Sequence, residues 1–192
     1  MKNAGLELVR YADDMVVMCP TAQSAQQALE AVQRWMDEAE LTLHPEKTRI
    51  AELTEAGSHL DFLGYRFVRR RNGGIKRVVR PKSVRKLRHK LKPLTKRANG
   101  HSMEALMKKL NPILRGWYGY FKHVHPDMLR EVDGWVRGRL RGILRKRRGG
   151  RGRGRGSDHR RWPNAYFDTF GLFCLEATRR DEHSSLRKEK TC

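Results

Sequence analysis

The sequence predicts an α+β fold in two parts, a small module of β-hairpins with one helix followed by an all-α, strongly basic module. Short strand-like runs separated by turn residues dominate as far as about residue 80. Beyond that point apolar residues recur at steps of three and four, as in amphipathic helices. Charge divides in the same way: residues 1–65 carry 5 basic and 11 acidic side chains, whereas residues 66–192 carry 37 and 10.

The composition of the whole chain excludes several classes of protein. Its 192 residues carry a net charge of +21, and 38% of them are hydrophobic. No apolar run approaches the roughly 18 residues of a membrane span, and the apolar content is too high for a disordered chain. The basic excess favours a polyanionic partner, most commonly nucleic acid, with an anionic membrane surface as the alternative. Cys19, Cys174 and Cys192 are too scattered for a disulfide framework, so we expect a reducing, intracellular location.

The first hairpin is predicted from two strand-like runs, Leu6–Tyr11 and Met15–Cys19, on either side of Ala12-Asp13-Asp14. It places two carboxylates at its tip. A turn that exposes both side chains while the strands fix their positions is suited to a divalent metal. An Asp-Asp pair is also ordinary turn chemistry, and the hairpin alone does not separate the two interpretations.

A helix is predicted next, because Pro20-Thr21 ends the strand and provides an N-cap, and Ala25, Leu29 and Val32 follow at helical spacing. Residues 41–43 read as a short extended piece. Pro45 begins a turn that contains Lys47, and a further strand is predicted over 48–53.

A second hairpin is predicted from residues 62–71 and 75–80, because Asn72-Gly73-Gly74 between them tolerates positive φ. The alternation of apolar residues in the first of these strands changes phase near Gly64. Such a shift predicts a glycine bulge.

The second module is predicted to consist of four helices. The first extends over residues 84–94 and ends or kinks at Pro93; the second begins at Ser102; Asn111-Pro112 caps a third; the fourth follows Pro126. On the fourth helix Arg137, Arg141 and Arg145 repeat every four residues, on a different face from the apolar side chains. We interpret them as a cationic stripe, either solvated or in contact with phosphate.

The region after the fourth helix is predicted to contain a linker and a docking segment. The Arg-Gly run over 149–156 is of low complexity, which indicates a flexible cationic linker. Apolar density returns over 162–173, so this segment is expected to pack back on the helices. Residues from Arg179 onward are predicted to form a mobile terminus.

Several of these motifs resemble those of group II intron reverse transcriptases. Tyr11-Ala12-Asp13-Asp14 resembles the polymerase active-site hairpin, the stretch 41–48 with Lys47 is similar to the turn with a lysine that follows it in the palm, and 62–67 resembles the primer-grip hairpin. Residues 110–121 are similar to the maturase-specific thumb, and 147–172 to the C-terminal end of bacterial members. The motifs occur in the family's order and cover nearly the whole chain.

The resemblance implies a domain organisation and a function. Residues 1–80 correspond to the C-terminal part of the palm, 81–148 to the thumb or maturase domain, 149–161 to an Arg-Gly linker, and 162–192 to a docking segment and tail. The implied activities are RNA-directed DNA synthesis and the binding of intron RNA to assist splicing and retrohoming. The implied partners are group II intron RNA and, in the complete enzyme, a DNA target or primer, in a ribonucleoprotein of the bacterial cytoplasm with no membrane involved.

The resemblance also assigns roles to residues. Asp13 and Asp14 would hold catalytic Mg²⁺, and Lys47 would lie near the departing pyrophosphate, although it is equally an ordinary turn lysine. The primer grip would comprise Phe62, Leu63, Gly64 and Tyr65, although their apolar side chains are also suited to plain packing of the sheet, Leu63 above all. The expected RNA-binding residues are Arg115, Trp117, Tyr118, Tyr120, Lys122, Arg137, Arg141, Arg145, Arg151, Arg153 and Arg155. Aromatic residues such as Trp117 are also typical of a helix core at this spacing.

The sequence departs from the family pattern at its start, since only ten residues precede Tyr11. In the family an aspartate on an earlier palm strand completes the two-metal site, and the fingers also precede the hairpin. We therefore expect Mg²⁺ to bind weakly or not at all, and no polymerisation unless a separate chain supplies the rest of the palm and the fingers. The alternatives are a stand-alone RNA-binding module and a truncated remnant without function.

Overall fold

The computed structural model describes residues 6–189, so Cys192 lies outside the described residues. The chain divides into two units, residues 1–76 and residues 77–192. Helices and small antiparallel sheets are both present, with most helices after the strands, which confirms the predicted α+β class.

The first unit opens with the predicted hairpin. Strand β1 (Glu7–Tyr11) pairs antiparallel with β2 (Asp14–Met18), and Tyr11 opposite Asp14 forms the last pair before the turn. Helix α1 (Ala22–Glu38) follows and packs against β2 through a face that buries Ala28 and Val32.

Helix α1 begins where the sequence predicts it. The Thr21 hydroxyl accepts a hydrogen bond from the backbone amide of Ser24 at 3.1 Å, and the Ser24 hydroxyl accepts one from the backbone amide of Thr21, also at 3.1 Å. The two bonds form a reciprocal capping box. The strand predicted over 48–53 is wrong, because among the described residues this stretch joins no sheet. Its apolar Ile50 is 44% exposed, so the stretch lacks both the ladder and the burial that stabilise a strand.

A three-stranded sheet follows, in the order β3 (His59–Phe62), β4 (Tyr65–Arg69), β5 (Ile75–Val79). The glycine bulge predicted near Gly64 is wrong. Leu63 and Gly64, with φ of 48° and 80°, form the two-residue turn between β3 and β4. Positive φ at both central residues matches the right-handed twist of a hairpin, and this explains the change of phase in the sequence. The predicted hairpin of β4 and β5 is present, with β4 beginning at Tyr65.

The second unit is helical. It begins with α2 (Pro81–Leu94), α3 (Met103–Phe121) and α4 (Pro126–Arg147). The prediction of separate helices on either side of Asn111-Pro112 is wrong, because α3 continues through Pro112. One continuous apolar face holds this helix in the core, where Leu106, Leu110 and Leu114 are fully buried. That burial outweighs the one helical hydrogen bond that a proline removes.

The C-terminal region folds onto these helices as α5 (Gly156–Arg161), α6 (Asn164–Asp168) and α7 (Leu175–Glu189). Phe167 and Leu175 are fully buried, and α7 packs against α3 and α4. Helix α7 occupies the part of the chain where the sequence predicts a mobile terminus from Arg179. The Arg179 guanidinium donates to the carbonyl oxygen of Val124, so this residue belongs to the packed structure.

Candidate metal site and nucleic-acid interface

The hairpin tip holds the two carboxylates that the sequence singles out. Ala12 and Asp13 form the turn, with Ala12 at φ 50°, and Asp14 begins β2. Arg10 Nε donates to the Ala12 carbonyl oxygen at 3.0 Å and so stabilises the turn. Both aspartates are exposed. The pair therefore presents adjacent oxygen donors of the kind that Mg²⁺ prefers.

The described residues supply only part of a ligand set for such an ion. Between residues 6 and 189 no group of three or more His, Cys, Asp or Glu side chains is placed to hold a metal. A two-metal centre needs carboxylates on both sides of the reacting oxygens. Asp13 and Asp14 fit the chemistry of Mg²⁺ but do not by themselves fit a two-metal centre.

Lys47 lies elsewhere in the first unit, in a turn closed by hydrogen bonds from the amides of Lys47 and Thr48 to the His44 carbonyl at 3.1 and 3.0 Å. Its side chain is exposed. The turn predicted around Pro45 is present, and a role near pyrophosphate stays a prediction.

The predicted primer-grip residues close the β3–β4 hairpin. Phe62 and Tyr65 form its last pair, and Leu63 and Gly64 are its turn; all four are half-buried. One pair further along, Arg66 donates to both carboxylate oxygens of Asp61, at 2.7 and 2.9 Å. This bidentate pair fixes the register of the hairpin. Contact with a primer stays a prediction.

Helix α2 presents the clearest cationic surface of the second unit. Val84, Leu87 and Leu91 are buried, and the basic residues on the other faces are exposed except for Arg88, which is half-buried and pairs with Glu131 at 2.7 Å. We define the α2 basic face as Lys82, Arg85, Lys86, His89, Lys90 and Lys92. The sequence contains no Asp or Glu between Asp61 and Glu104, so this face carries no acidic side chain of its own. The RNA-binding residues predicted from the sequence do not include this face, although the long stretch without Asp or Glu indicates a basic surface.

The predicted cationic stripe of α4 points into the second unit. Arg141 is only 3% exposed, and it donates to the carbonyl oxygen of Trp162 at 2.9 Å and to Asn164 Oδ1 at 2.8 Å. Arg145 donates to the Arg151 carbonyl and to Asp158 Oδ2, at 2.8 and 2.7 Å. The prediction of a solvent-facing stripe is therefore wrong. The cause is that the segment after α4 folds back and covers this face.

Arg137 is also largely covered, with 11% of its side chain exposed. Its Nη2 lies 3.2 Å from Cys174 Sγ and 3.9 Å from Asp168 Oδ1. The thiols of Cys19 and Cys174 are free.

The predicted contact residues of α3 divide between surface and core. Tyr118 is 4% exposed and its ring meets the edge of Phe173, so it cannot stack on a base in this structure. Tyr120, in contrast, is 53% exposed. Trp117 is half-buried and lies 4.9 Å from the Phe121 ring. Arg115 is exposed and lies over the Phe173 ring at 4.6 Å, and Lys122 is paired with Glu182 at 3.6 Å.

The Arg-Gly run is an anchored loop, with α5 at its C-terminal end. Asp158 is buried and accepts the amide of Arg155 at 2.8 Å as well as the Arg145 guanidinium. The amide of Arg155, and to a lesser extent Arg145, lowers the pKa of the Asp158 carboxyl. Arg151, Arg153 and Arg155 are exposed, so the loop presents its guanidiniums to solvent.

The described helices include none that is both long and apolar enough to cross a lipid bilayer. Comparison with known families gives two matches, in the order that the motifs predict. Residues 1–67 match the family described as reverse transcriptase (RNA-dependent DNA polymerase), and residues 84–162 match the group II intron, maturase-specific domain. No curated protein matches the chain.

Proposed function

Because the chain belongs to the group II intron reverse transcriptase/maturase family, we propose that its second unit binds group II intron RNA and assists splicing and retrohoming. The observation that carries the proposal is the α2 basic face, which is exposed throughout and has no acidic side chain within it. Like charges this dense repel one another, and a phosphate backbone relieves that repulsion.

The chemistry of these side chains favours contact with the RNA backbone. Lysines contact phosphates as point charges, and arginines can bind phosphate through two N–H groups. The Arg-Gly loop adds exposed guanidiniums at Arg151, Arg153 and Arg155. Neither element offers a rigid set of base contacts, so recognition would rest on the shape of the folded RNA.

Assistance with splicing needs no further chemistry from the protein. A protein that binds the folded intron more tightly than its misfolded states shifts the population toward the folded form. The proposed setting is a ribonucleoprotein in the bacterial cytoplasm.

The first unit suggests a contribution to RNA-directed DNA synthesis. Asp13 and Asp14 would be ligands of Mg²⁺, which lowers the barrier to phosphoryl transfer by stabilising developing charge. Lys47 and the residues at 62–65 would contact the leaving group and the primer. A separate chain carrying the remaining palm and fingers would complete this site, with a DNA target or primer as its substrate. A stand-alone RNA-binding role needs only the second unit.

Titration of structured intron RNA at several salt concentrations tests the proposal. The wild-type chain should bind tightly, with log K falling steeply against log salt. A Lys82→Gln, Lys86→Gln double variant should weaken binding and reduce the slope by about one for each phosphate that the protein no longer neutralises. Both lysines are exposed, so the variant is expected to fold normally.

The matched control removes two positive charges from the first unit, by Arg34→Gln with Arg49→Gln. Both arginines are exposed, so the change in net charge is the same as in the α2 variant. If the two double variants lose the same affinity, the effect is one of net charge and the α2 basic face is not the interface. Absence of RNA binding by the wild-type chain contradicts the proposed function itself.

A further inference from the structure

A groove of about 540 Å³ lies within the second unit, between α4 and the segment that folds back on it. Its basic lining consists of Arg130, Arg137 and Arg141 from α4, His159 from α5 and Arg180 from α7, and Gly134 forms part of its wall. We call it the α4–α7 groove. Its volume is within the range of sites that hold small ligands or single nucleotides.

Arg141 gives this groove an unusual electrostatic character. Its hydrogen bonds go to the neutral oxygens of Trp162 and Asn164, and among the described residues it forms no ion pair. Burial, and then the neighbouring charge of Arg137, lowers the pKa of the Arg141 guanidinium. Buried charges are normally paired, so a buried guanidinium with only neutral acceptors leaves uncompensated positive charge in the wall.

Arg137 lies one helical turn before Arg141 and has hydrogen-bonding capacity left over. Its Nε is buried and finds no partner within residues 6–189. Its nearest carboxylate is Asp168 at 3.9 Å, which is beyond hydrogen-bonding distance, and that side chain is 54% exposed. An anion entering the groove would therefore meet a guanidinium whose charge no close carboxylate neutralises.

The acidic residues of the groove do not cancel this charge. They are Asp133, Asp168 and Glu176. The two oxygens of Asp133 accept the amides of Leu175 and Glu176 at 3.0 Å each, so its charge offsets the positive N-terminal end of α7. Arg130 is paired with Asp127 at 3.2 Å, so Asp168 and Glu176 remain opposite Arg137, Arg141 and Arg180.

We infer that the α4–α7 groove binds a phosphodiester of the RNA backbone, with Arg137 and Arg180 as the contacting cations and Arg141 as a fixed charge behind them. This inference rests on the proposed function, because it assigns a second RNA contact away from the α2 basic face. Phosphate suits the site because guanidiniums bind its oxygens in pairs, and the groove volume of about 540 Å³ admits more than the phosphate group alone.

Two glycines of α4 provide a matched pair of variants. Gly134 and Gly138 are one turn apart, both are exposed, and apart from the chain neighbours and the backbone of α4 itself no atom lies within 4 Å of the position that a Cβ would take at either. Gly134 lines the groove, whereas Gly138 is not among its lining residues. Gly134→Glu and Gly138→Glu therefore change net charge equally on the same helix, but only the first places a carboxylate in the groove.

Binding of intron RNA by the two variants gives the first test. Gly134→Glu should weaken binding about fivefold or more, and Gly138→Glu should stay within about twofold of wild type. Both should keep the wild-type melting temperature or exceed it, since glutamate is a better helix former than glycine. Equal effects of the two variants overturn the inference while leaving the α2 result, and with it the proposed function, intact. If the wild-type chain binds no RNA, the inference and the proposed function both fail.

Labelling of Cys174 gives a second test that needs no variant. Cys174 lines the groove and its free thiol is half-buried, whereas Cys19 lies in the first unit and is a control within the same chain. Burial raises the pKa of the Cys174 thiol, so alkylation by iodoacetamide is best followed near pH 8, by mass spectrometry of the peptides.

Intron RNA should slow alkylation of Cys174 severalfold and leave Cys19 unchanged. Inorganic phosphate at the same concentration of phosphate groups should protect little, because it lacks the rest of the RNA chain. Equal protection by inorganic phosphate would overturn the assignment to RNA and indicate a site for a free anion. No protection of Cys174 by bound RNA overturns the inference altogether.

Discussion

Asp133 on α4 accepts the backbone amide of Leu175, the first residue of α7, at 3.0 Å. Its second oxygen accepts the amide of Glu176, also at 3.0 Å. The first turn of a helix leaves its amides without partners inside the helix, and here a buried carboxylate from another helix satisfies two of them. This capping interaction joins the C-terminal helix to the core of the second unit.

Asp133→Ala should therefore destabilise the chain. The change removes two charge-assisted hydrogen bonds and leaves the amides of Leu175 and Glu176 unsatisfied, at a cost of about 2 kcal/mol in the free energy of unfolding. Urea denaturation followed by circular dichroism measures this loss. Asp181→Ala, at an exposed position on α7, is the control and should change stability by no more than about 0.5 kcal/mol. A similar effect of the two variants would contradict the capping role.

Arg141→Gln should lower the stability of the second unit. The shorter side chain leaves the carbonyl oxygen of Trp162 without its donor, and an unsatisfied buried acceptor costs about 1–3 kcal/mol. Thermal unfolding of Arg141→Gln and of the exposed Arg148→Gln compares the two positions. Unchanged stability of the Arg141 variant would contradict the buried contact with Trp162.

Acidification should weaken the anchor of the Arg-Gly loop. The pKa of Asp158 lies below its ordinary value of 3.8 in the folded chain, so folding favours the ionised carboxylate. The Asp158 carboxylate contributes fully to stability when the pH is above this ordinary pKa. Its contribution disappears as the pH falls through the lower pKa that the group has in the folded chain. The stability difference between wild type and Asp158→Asn should shrink from pH 5 to about pH 2.5. Melting temperatures of the two proteins across this pH range test the prediction. A difference between them that stays constant with pH would contradict it.

Gly138→Ala should stabilise the second unit by about 0.5–1 kcal/mol. The position is exposed on α4, its added Cβ meets no atom within 4 Å, and alanine loses less backbone entropy than glycine in a helix. Chemical denaturation of the single variant is the measurement. A loss of stability would show that the space beside Gly138 is needed for packing.

The purified 192-residue chain should not extend a primer on an RNA template with Mg²⁺ and all four deoxynucleotides. Within residues 6–189 the Asp13–Asp14 pair is not part of any group of three potential metal ligands. Template-dependent product that Asp13→Ala abolishes would contradict this expectation. Product that appears only when a chain carrying fingers and the rest of a palm is added would support the completed site.

The sequence predicts correctly those elements whose structure depends on neighbouring residues in the chain. Thr21 provides a cap that is independent of the rest of the fold, and the start of α1 follows from it. Leu129, Val132 and Val136 on α4 are buried because their spacing places them on one face, whatever packs there. The hairpin that carries Asp13 and Asp14 was predictable in the same way.

The errors arose where distant residues decide the structure. The strand predicted over 48–53 needed a partner that no local pattern could supply. Pro112 is tolerated inside α3 because the core on both sides holds the helix together. The guanidinium of Arg141 is held by Trp162 and Asn164, 21 and 23 positions later in the chain, and an arginine at helical spacing gives no sign of that covering.

The anchored Arg-Gly loop also has a consequence for proteolysis. Exposed arginines flanked by glycine are good substrates for trypsin-like proteases, and Arg151 and Arg153 are exposed in the loop. A cut there severs one peptide bond but none of the contacts of Asp133 with α7 or of Arg141 with Trp162. The two pieces are expected to remain associated, so a nicked chain would run as two bands in a denaturing gel and as one species in gel filtration.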